Sequence, residues 1–309
     1  MNRTPQVAVA GEIFVDLIFS GLDEWPQPGK EIFARNFHRE LGGGTAITAC
    51  ALASLGTECG VFACVGRESF DWIVRRLDDF AVINELSVDP CEPTAITVAA
   101  TQPQERAFLS YAGANRAFDA VFLDALRAGR RIASRHVHMA FPPRLEVAVE
   151  LVERLHAQGC SVSLDVGWRE DWLTDARAIE VLPHFDIFFP NEAEASRITG
   201  LDHPEAILKW FASRAIDRVA LKLGAQGAAL LWNGQIQSVP GRAVNAVDTT
   251  GAGDCFDAGF LHEWLNGKSP EDCLRTANIC GALSTEALGG LNALKSESWL
   301  RMKSQKEGS

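Results

Sequence analysis

Short apolar runs alternate along the chain with segments in which apolar residues recur every three or four positions. The runs are typical of buried β-strands and the periodic segments of amphipathic helices. Their alternation predicts βαβ units and a mostly parallel sheet covered by helices. The predicted strands are Val7 to Ala10, Gly60 to Val65, Val137 to Ala140, Ser161 to Val166, Asp186 to Phe189 and Arg218 to Leu223. The predicted helices are Thr45 to Leu55, Phe70 to Phe80, Arg144 to His156, Asp175 to Leu182 and Pro204 to Ala215.

Two regions depart from this alternation and are rich in β-prone residues. They are Glu12 to Phe19 with Glu31 to His38, and Thr94 to Ala100 with Arg106 to Tyr111. Turn-forming residues at 25–29 and 102–105 join the members of each pair. We predict short strands that build a small β lid inserted into the α/β domain, with ordinary loops and edge strands as the alternative. The polar segment Leu294 to Ser309 is expected to fray after a final helix.

Composition and charge indicate a chain with a large core and exclude several classes of partner and segment. The chain has 309 residues, 47% hydrophobic and 22% charged, which is enough apolar sequence for a large core. A net charge of -11 opposes sequence-independent attraction to nucleic acids or anionic lipid, so neither is an expected partner. The apolar stretch after Met1 to Gln6 is too short for a signal peptide, and no run reaches the length of a membrane span.

The cysteine pattern indicates the cellular compartment of the protein. Eight cysteines are scattered without any C-x-x-C spacing, and several of them, such as Cys50 and Cys280, stand among apolar neighbours. This pattern favours buried free thiols over disulfides or a metal site. A cytoplasmic protein is therefore predicted.

The most informative stretch for chemistry is Asp248-Thr249-Thr250-Gly251-Ala252-Gly253-Asp254, which leads into an apolar helical pattern. The unpaired amides of Gly251, Ala252 and Gly253 at a helix start would form an anion site, reinforced by the helix dipole. Asp254 would stand in the first turn. It could accept a proton from a hydroxyl while the amides hold a phosphoryl group, or it could simply favour the dipole.

Other nucleotide and catalytic motifs are absent from the sequence. Gly267-Lys268-Ser269 lacks the first glycine of a Walker loop, because His262 stands there. Phe256 stands where a dinucleotide fingerprint needs glycine. Neither H-E-x-x-H nor G-x-S-x-G occurs.

The stretch from Asp248 to Asp254 resembles the D-T-x-G-A-G-D motif of the ribokinase or PfkB family of carbohydrate kinases. Further motifs of this family follow in the right order over nearly the whole chain. They are Gly11-Glu12 with Asp16, Leu41 to Ala46 leading to Leu55-Gly56, Gly113-Ala114-Asn115, Asp165 with Arg169, Pro190 to Glu194, and Lys222 to Gly227.

The resemblance implies an α/β fold, a ribokinase-like three-layer sandwich in which a mostly parallel central sheet is flanked by helices and carries a small β lid. Residues 1–309 would form one such domain, with lid segments at about 12–38 and 92–111. The implied activity is transfer of the γ-phosphate of ATP, with Mg²⁺, to a hydroxymethyl group of a sugar of the ribose, fructose or 2-keto-3-deoxygluconate type.

The resemblance also assigns roles to residues. Asp254 is the general base and the amides of Gly251, Ala252 and Gly253 are the anion hole. The sugar pocket contains Asp16, Gly42, Gly43 and Arg169, beside Asp254. The nucleotide side contains Asn191, Lys222, Gly224, Gly227, Thr249, Gly251, Gly253 and Asn278. Asn191 and Glu194 would hold Mg²⁺ through water, and Asp248 and Thr250, with carbonyls of the Leu288 to Gly290 region, a potassium ion.

The residues themselves leave simpler interpretations open. Asn191 could be a helix cap and Lys222 a solvated lysine at a strand end. Asn278 could face solvent in mid-helix, and Arg169 could form a surface ion pair. Asp16 could be only a turn residue.

Departures from the family pattern leave the acceptor open. Ile47 and Gly167 stand where the family has asparagines, and Arg67-Glu68 replaces a pair of aspartates. A nucleoside kinase, with the base held by Phe14, Phe33 and Phe108, is the alternative. An acidic sugar, with Arg106 or Arg169 as carboxylate partner, and a non-catalytic sugar or nucleotide sensor are further alternatives. The apolar lid strands also predict a homodimer whose lids pair.

Overall fold

The computed structural model describes residues 5–102 and 105–307. Their strands are β1 (Val7–Ala10), β2 (Phe14–Ser20), β3 (Asn36–Gly42), β4 (Cys59–Phe62), β5 (Cys64–Gly66), β6 (Ile83–Asn84), β7 (Ser87–Asp89), β8 (Ile96–Thr101), β9 (Arg106–Tyr111), β10 (His136–Met139), β11 (Ser161–Leu164), β12 (Ile187–Phe188), β13 (Arg218–Lys222), β14 (Gly227–Trp232) and β15 (Gln235–Pro240). The α-helices are α1 (Gly44–Ser54), α2 (Phe70–Asp78), α3 (Phe118–Arg127), α4 (Leu145–His156), α5 (Glu170–Thr174), α6 (Arg177–Val181), α7 (Glu192–Thr199), α8 (Pro204–Ala212), α9 (Ala252–Leu265), α10 (Pro270–Ser284) and α11 (Glu297–Glu307).

Nine of these strands form the central sheet. Their order is β15-β14-β13-β12-β11-β10-β1-β4-β6. All neighbours from β13 to β6 are parallel, whereas β14 and β15 add an antiparallel edge. The predicted mostly parallel sheet is confirmed.

The sheet is buried on both faces, which explains why its strands read as unbroken apolar runs. Along β1, Val7 and Val9 point into one core cluster, and Ala8 and Ala10 point into the other. The first cluster includes side chains of α1, α2, α9 and α10, and the second includes side chains of α3, α4, α6 and α8. The helices therefore cover both faces, as the predicted three-layer sandwich requires.

The predicted lid is a separate four-stranded sheet in the order β3-β2-β8-β9. The segment Glu31 to His38 was predicted as one of its strands, but the strand is Asn36–Gly42. Each residue of β3 pairs with one of β2, from Phe14 opposite Gly42 to Ser20 opposite Asn36. Residues before Asn36 have no partner on β2, so the strand begins later than its composition suggests.

One predicted central strand is divided in two. The run Gly60 to Val65 breaks at Ala63 into β4, in the central sheet, and β5, which pairs with β7. A single apolar run cannot show which strand it will pair with, so the change of sheet was invisible in the sequence. The predicted turn residues 103 and 104, and the terminal residues 1–4 and 308–309, lie outside the described residues.

The structure also bears on the predictions about free thiols and about membrane-spanning segments. The eight cysteines are free thiols, and all except Cys91 are buried, as predicted. Across residues 5–102 and 105–307, no helix combines the length and the apolar character needed to cross a membrane.

The turn between β13 and β14 has a glycine requirement that can be tested. A Cβ on Gly227, whose φ is +101°, would lie 2.2 Å from the Val239 carbonyl oxygen, whereas Gly224, with φ +56°, faces open space. Gly227→Ala is therefore expected to lower the free energy of unfolding by about 3 kcal/mol or more, since both backbone strain and a clash oppose it. Gly224→Ala, the matched control, meets only the left-handed penalty of about 1 kcal/mol. Urea unfolding of both variants measures the difference, and equal losses would contradict it.

Candidate active site

The carboxyl ends of three neighbouring parallel strands bring polar residues to one edge of the sheet. Asp165 follows β11, Asn191 follows β12, and Lys222 ends β13. The Lys222 ammonium donates to Asp165 Oδ2 at 2.6 Å and to Asp257 Oδ1, from α9, at 3.3 Å. This edge is where ligands bind in open α/β sheets.

Lys222 is not the solvated strand-end lysine that its local pattern permitted. Its side chain is only 11% exposed. Desolvation by itself would lower its pKa, but the surrounding carboxylates raise the pKa above the ordinary value of lysine. Burial would likewise raise the pKa of Asp165, and the Lys222 ammonium holds it below the usual range. Burial raises the pKa of Asp257 strongly, and the Lys222 ammonium acts against this rise.

The predicted anion site is the N-terminus of α9. Gly251 caps the helix in a left-handed conformation with φ +78°. The first N–H groups of a helix have no intrahelical acceptor, so the amides of Gly251 and Gly253 are donors for an anion. The Ala252 amide instead donates to the Thr249 carbonyl at 3.2 Å, a bond that an anion would have to replace.

Asp254 stands in the first turn of this helix, partly exposed beside the start of α1. A Cβ on Gly44 would lie 2.8 Å from Asp254 Oδ1, so only glycine allows the two to approach this closely. Desolvation and the Asp165 carboxylate raise the pKa of Asp254 to about 7, although the Lys222 ammonium acts in the opposite direction. The side chain therefore changes charge near neutral pH, as suits a general base.

The predicted sugar-side residues lie together at the base of the lid. A Cβ on Gly42 would overlap the Asp16 carboxylate, 2.0 Å from Oδ2, so Asp16 lies directly over the Gly42 backbone. Gly43 has φ +88° and passes close to the Glu12 carbonyl. Burial, with the neighbouring Glu40 carboxylate, raises the pKa of Asp16 to about 6. Asp16 is thus a strand residue of β2 and not a turn residue.

Arg169 forms a partly buried ion pair. Its Nε donates to Asp171 Oδ1 at 2.9 Å, and its guanidinium lies over the Phe141 ring at 5.2 Å. Burial raises the pKa of the nearby Glu12 to about 7, and the Arg169 charge acts against this rise. The Arg169 guanidinium is thus already engaged by a carboxylate and an aromatic ring.

Asn191 and Glu194 form a complete capping box at the start of α7. Asn191 Oδ1 accepts from the Glu194 amide at 2.9 Å, and Glu194 Oε2 accepts from the Asn191 amide at 2.9 Å. Capping, the simpler interpretation, is therefore present. The box engages only one oxygen of Glu194, whose pKa burial and the Asp165 carboxylate raise to about 7. More carboxyl groups than ammonium groups lie here, which suits a hydrated divalent cation. Among the described residues, no group of three His, Cys, Asp or Glu side chains could bind a metal ion directly.

Four other residues predicted on the nucleotide side have clear positions. Gly224 and Gly227 form the turn after Lys222, with the positive φ angles given above. Asn278 does not face solvent, because it is buried and donates to the Val239 carbonyl at 3.0 Å, which ties α10 to β15. Thr249 is exposed on the loop before α9.

The loop before α9 meets the lid through Arg106. Asp248 Oδ1 accepts from the Thr250 amide at 2.8 Å and from Arg106 Nη1 at 2.5 Å. Asp248 Oδ2 accepts from the Gly289 amide at 2.8 Å. The acceptor set predicted for a potassium ion is thus engaged by a guanidinium, and it does not fit an additional cation in this arrangement.

The departures from the family pattern have local explanations. Ile47 packs beneath the anion site, with its side chain 3.1 Å from where a Cβ on Gly251 would lie. Gly167 donates its amide to Asp165 Oδ1 at 2.7 Å, which orients that carboxylate. Glu68 accepts from the Thr94 amide at 2.8 Å and so anchors the start of the second lid segment.

Sequence reasoning missed Asp257 as a site residue and gave Arg106 a different partner. Asp257 lies one turn beyond Asp254 on α9, and its buried carboxyl could have been suspected because it interrupts an apolar helix. The pairing of Arg106 with Asp248 spans 142 positions along the chain, so no local pattern could reveal it.

Comparisons with known proteins agree with this fold. The family model for pfkB family carbohydrate kinases matches residues 4–297. An ATP-dependent ribose-1-phosphate kinase from Halopiger xanaduensis is 32% identical, over 93% of this chain and 94% of its own length. Arabidopsis thaliana ribokinase, solved with ribose and ATP, superposes with a TM-score of 0.82 at 26% identity, covering 97% of this chain and 99% of that chain. An E. coli protein assigned as a ribokinase II, solved with ATP and Mg²⁺, has a TM-score of 0.81 at 25% identity and covers 98% and 99%.

The raised pKa of Asp254 has a consequence for stability. Because its pKa is about 7 in the folded protein and 3.8 in the unfolded chain, the folded state binds this proton more tightly. Its stabilising contribution is full below the unfolded pKa and is lost as pH rises through about 7. Asp254→Asn mimics the protonated form, so the variant should gain on the wild type between about pH 4 and pH 8, by at most about 4 kcal/mol.

Urea unfolding of both proteins across this pH range measures the gain. Asp202→Asn removes an exposed carboxylate outside the site and is the matched control. A constant difference between Asp254→Asn and wild type at every pH would contradict the expected titration.

Proposed function

The chain belongs to the pfkB family of carbohydrate kinases, and from that premise we propose that it transfers the γ-phosphate of ATP to a hydroxymethyl group of a sugar. One observation carries the proposal. A carboxylate with a pKa of about 7, that of Asp254, lies in the first turn of a helix whose N-terminal amides of Gly251 and Gly253 are donors for an anion. General base and anion site are thus next to each other, as phosphoryl transfer to a hydroxyl requires.

Asp254 takes the proton of the acceptor hydroxyl as its oxygen attacks the γ-phosphorus in line. The acceptor lies between Asp254 and the base of the lid, where Gly44 lets the backbone approach and Asp16 accepts hydrogen bonds from sugar hydroxyls. A base with a pKa near the working pH accepts the proton efficiently and remains unprotonated in a large fraction of molecules. The lid covers this region and excludes water that would otherwise hydrolyse ATP.

The amides of Gly251 and Gly253 stabilise the charge that develops on the transferred phosphoryl group. A Cβ on Gly253 would lie 3.4 Å from the Lys222 ammonium, so the lysine is adjacent to the same position. Its fixed positive charge, held by Asp165 and Asp257, adds to the field of the helix N-terminus.

Mg²⁺ supplies charge neutralisation between the phosphates of ATP when it is bound. Asn191 and Glu194 would hold it through water, using the carboxylate oxygen that the capping box does not engage. Gly224, Gly227 and Thr249 lie on the turn and the loop that we assign to the nucleotide, and Asn278 supports that region through β15. Potassium forms no part of the proposal because Arg106 engages the Asp248 carboxylate.

The acceptor is proposed to be a free sugar of the ribose, fructose or 2-keto-3-deoxygluconate type. A nucleoside is the second candidate, because Phe108 lies on the same lid face as Asp16 and is 60% exposed, ready to pack against a base. Phe14 and Phe33 belong to the other lid segment. Ribose 1-phosphate also belongs in the test, since a relative 32% identical carries that activity in its name.

The decisive experiment is a coupled ADP-release assay with Mg²⁺ and ATP against ribose, fructose, 2-keto-3-deoxygluconate, adenosine, inosine, cytidine and ribose 1-phosphate. We expect turnover with one class of acceptor. Asp254→Asn should lower kcat by about 10²- to 10⁴-fold, because it removes the base, while ATP still binds. The wild-type kcat/KM should rise with pH through about 7, as Asp254 loses its proton.

The control is Asp202→Asn, which should turn over like the wild type. If Asp254→Asn kept more than a few per cent of the wild-type rate, a different group would be the base. ATP binding without phosphorylation of any acceptor in the panel would instead favour an acceptor of another class first, and a sugar or nucleotide sensor second.

The rest of the proposal concerns assembly and location. We propose that residues 1–309 act as one ribokinase-like domain with lid segments at about 12–38 and 92–111, and that the protein is cytoplasmic, where its free thiols stay reduced. We also propose a homodimer through the lid. Phe37, Leu109 and Tyr111 are exposed on the lid face opposite Asp16.

The dimer predicts a specific effect of a lid substitution. Leu109 is 74% exposed on this apolar face, so Leu109→Asp should place a charge in the interface and yield a monomer. Val121→Asp alters a residue on α3, outside the lid, that is 38% exposed, and should leave the dimer intact. Sedimentation equilibrium reads the mass, and a monomeric wild type would overturn the proposal.

A further inference from the structure

The carboxylate of Asp248 organises the loop that leads to the anion site. Its Oδ2 accepts the Gly289 amide and its Oδ1 accepts the Thr250 amide, each at 2.8 Å. The first bond links the loop before α9 to the segment after α10, and the second lies within the loop. The carboxylate is buried, with its side chain 9% exposed, so its charge requires a partner.

Arg106 provides that partner from the lid. Nη1 donates to Asp248 Oδ1 at 2.5 Å and to Thr250 Oγ1 at 3.5 Å, and Nη2 donates to the Val247 carbonyl at 3.2 Å. The guanidinium thus contacts a carboxylate, a hydroxyl and a backbone carbonyl. Those are the hard oxygen ligands that a bare monovalent cation would take. A further cation at this carboxylate would be repelled by the guanidinium beside it.

We propose that Arg106 is a built-in replacement for a monovalent cation at the anion-site loop and is a positioning residue for phosphoryl transfer. The catalytic arrangement then needs no added potassium. The inference extends the proposed function. It rests on that function only where the test measures activity. It assigns the place expected for a potassium ion at Asp248 and Thr250 to the guanidinium.

The position of Arg106 gives the replacement a second consequence. Arg106 is the first residue of β9 and lies on the lid face that carries Asp16 and Ile18. Ile18 Cδ1 is 3.8 Å from the Cβ position of Gly289, so this face meets the same loop at a second point. The positive charge therefore reaches the loop only when the lid is in place, whereas a diffusible ion would bind independently of the lid.

Loss of the guanidinium would leave space for an ion. Arg106 lines a cavity of about 510 Å³ together with Val247, Thr249 and Leu288. The cavity is partly open to solvent, and Asp248 lies beside it behind Arg106. In Arg106→Ala, a potassium ion can therefore reach the carboxylate and restore the lost charge.

The experiment compares wild type, Arg106→Ala and Arg35→Ala in potassium and in tetramethylammonium chloride at equal ionic strength. Arg35 is an exposed lid-segment residue paired with Asp23, and it controls for the loss of an arginine from the lid. We expect equal wild-type rates in both salts. Arg106→Ala should fall about tenfold or more in tetramethylammonium and recover severalfold in potassium. Sodium and lithium should rescue less than potassium.

A second readout does not depend on the reaction. Potassium should raise the Tm of Arg106→Ala by about 2 °C or more over tetramethylammonium and leave the wild-type Tm unchanged. If no acceptor is phosphorylated, the proposed function fails, but this measurement still tests the inference. A wild type that potassium activates or stabilises would overturn it, as would an Arg106→Ala protein that gains nothing from potassium. Arg106→Gln serves in the same way if the alanine variant does not fold.

Discussion

The buried ion cluster around Lys222 is the interaction on which the site depends. It joins the end of β13 to the end of β11 through Asp165 and to α9 through Asp257. A buried ammonium is strongly destabilising unless carboxylates surround it, and removal of one member of such a group leaves an uncompensated charge. The cluster therefore fixes how the helix that carries Asp254 sits against the sheet. The position of Asp254 follows from the position of this lysine.

A second constraint is the close approach of backbones at glycines. Gly44 lets the start of α1 lie against Asp254, and Gly42 lets Asp16 lie across the strand that leads there. These contacts place Asp16 and Asp254 at the two ends of one short segment, residues 42–44. Glycines of the sequence motifs, such as Gly42 and Gly44, thus lie where a Cβ would not fit.

Much of the fold and part of the site could be predicted from the sequence, for physical reasons. Strands such as β1 are buried on both faces and show as apolar runs, and the start of α9 is marked by a local sequence, Gly251 to Asp254. Lys222 and Asn278 were different, because their surroundings come from other elements. The bounds of β3 depended on its partner strand in the same way. Local sequence determines what a segment can do, and distant contacts determine which of those options it adopts.

The charges around Lys222 make the pKa values of the nearby carboxyl groups sensitive to a bound cation. Near Lys222 the carboxyl groups outnumber the ammonium, and burial raises the pKa of both Asp254 and Glu194 to about 7. Each of these carboxyls is partly protonated near neutral pH as long as no further positive charge enters the site. A divalent cation arriving with a polyphosphate would lower their pKa values, because it favours the ionised forms. Under the proposed function, Asp254 would then become fully ionised as the nucleotide binds, so the event that supplies the phosphoryl group would also prepare proton acceptance.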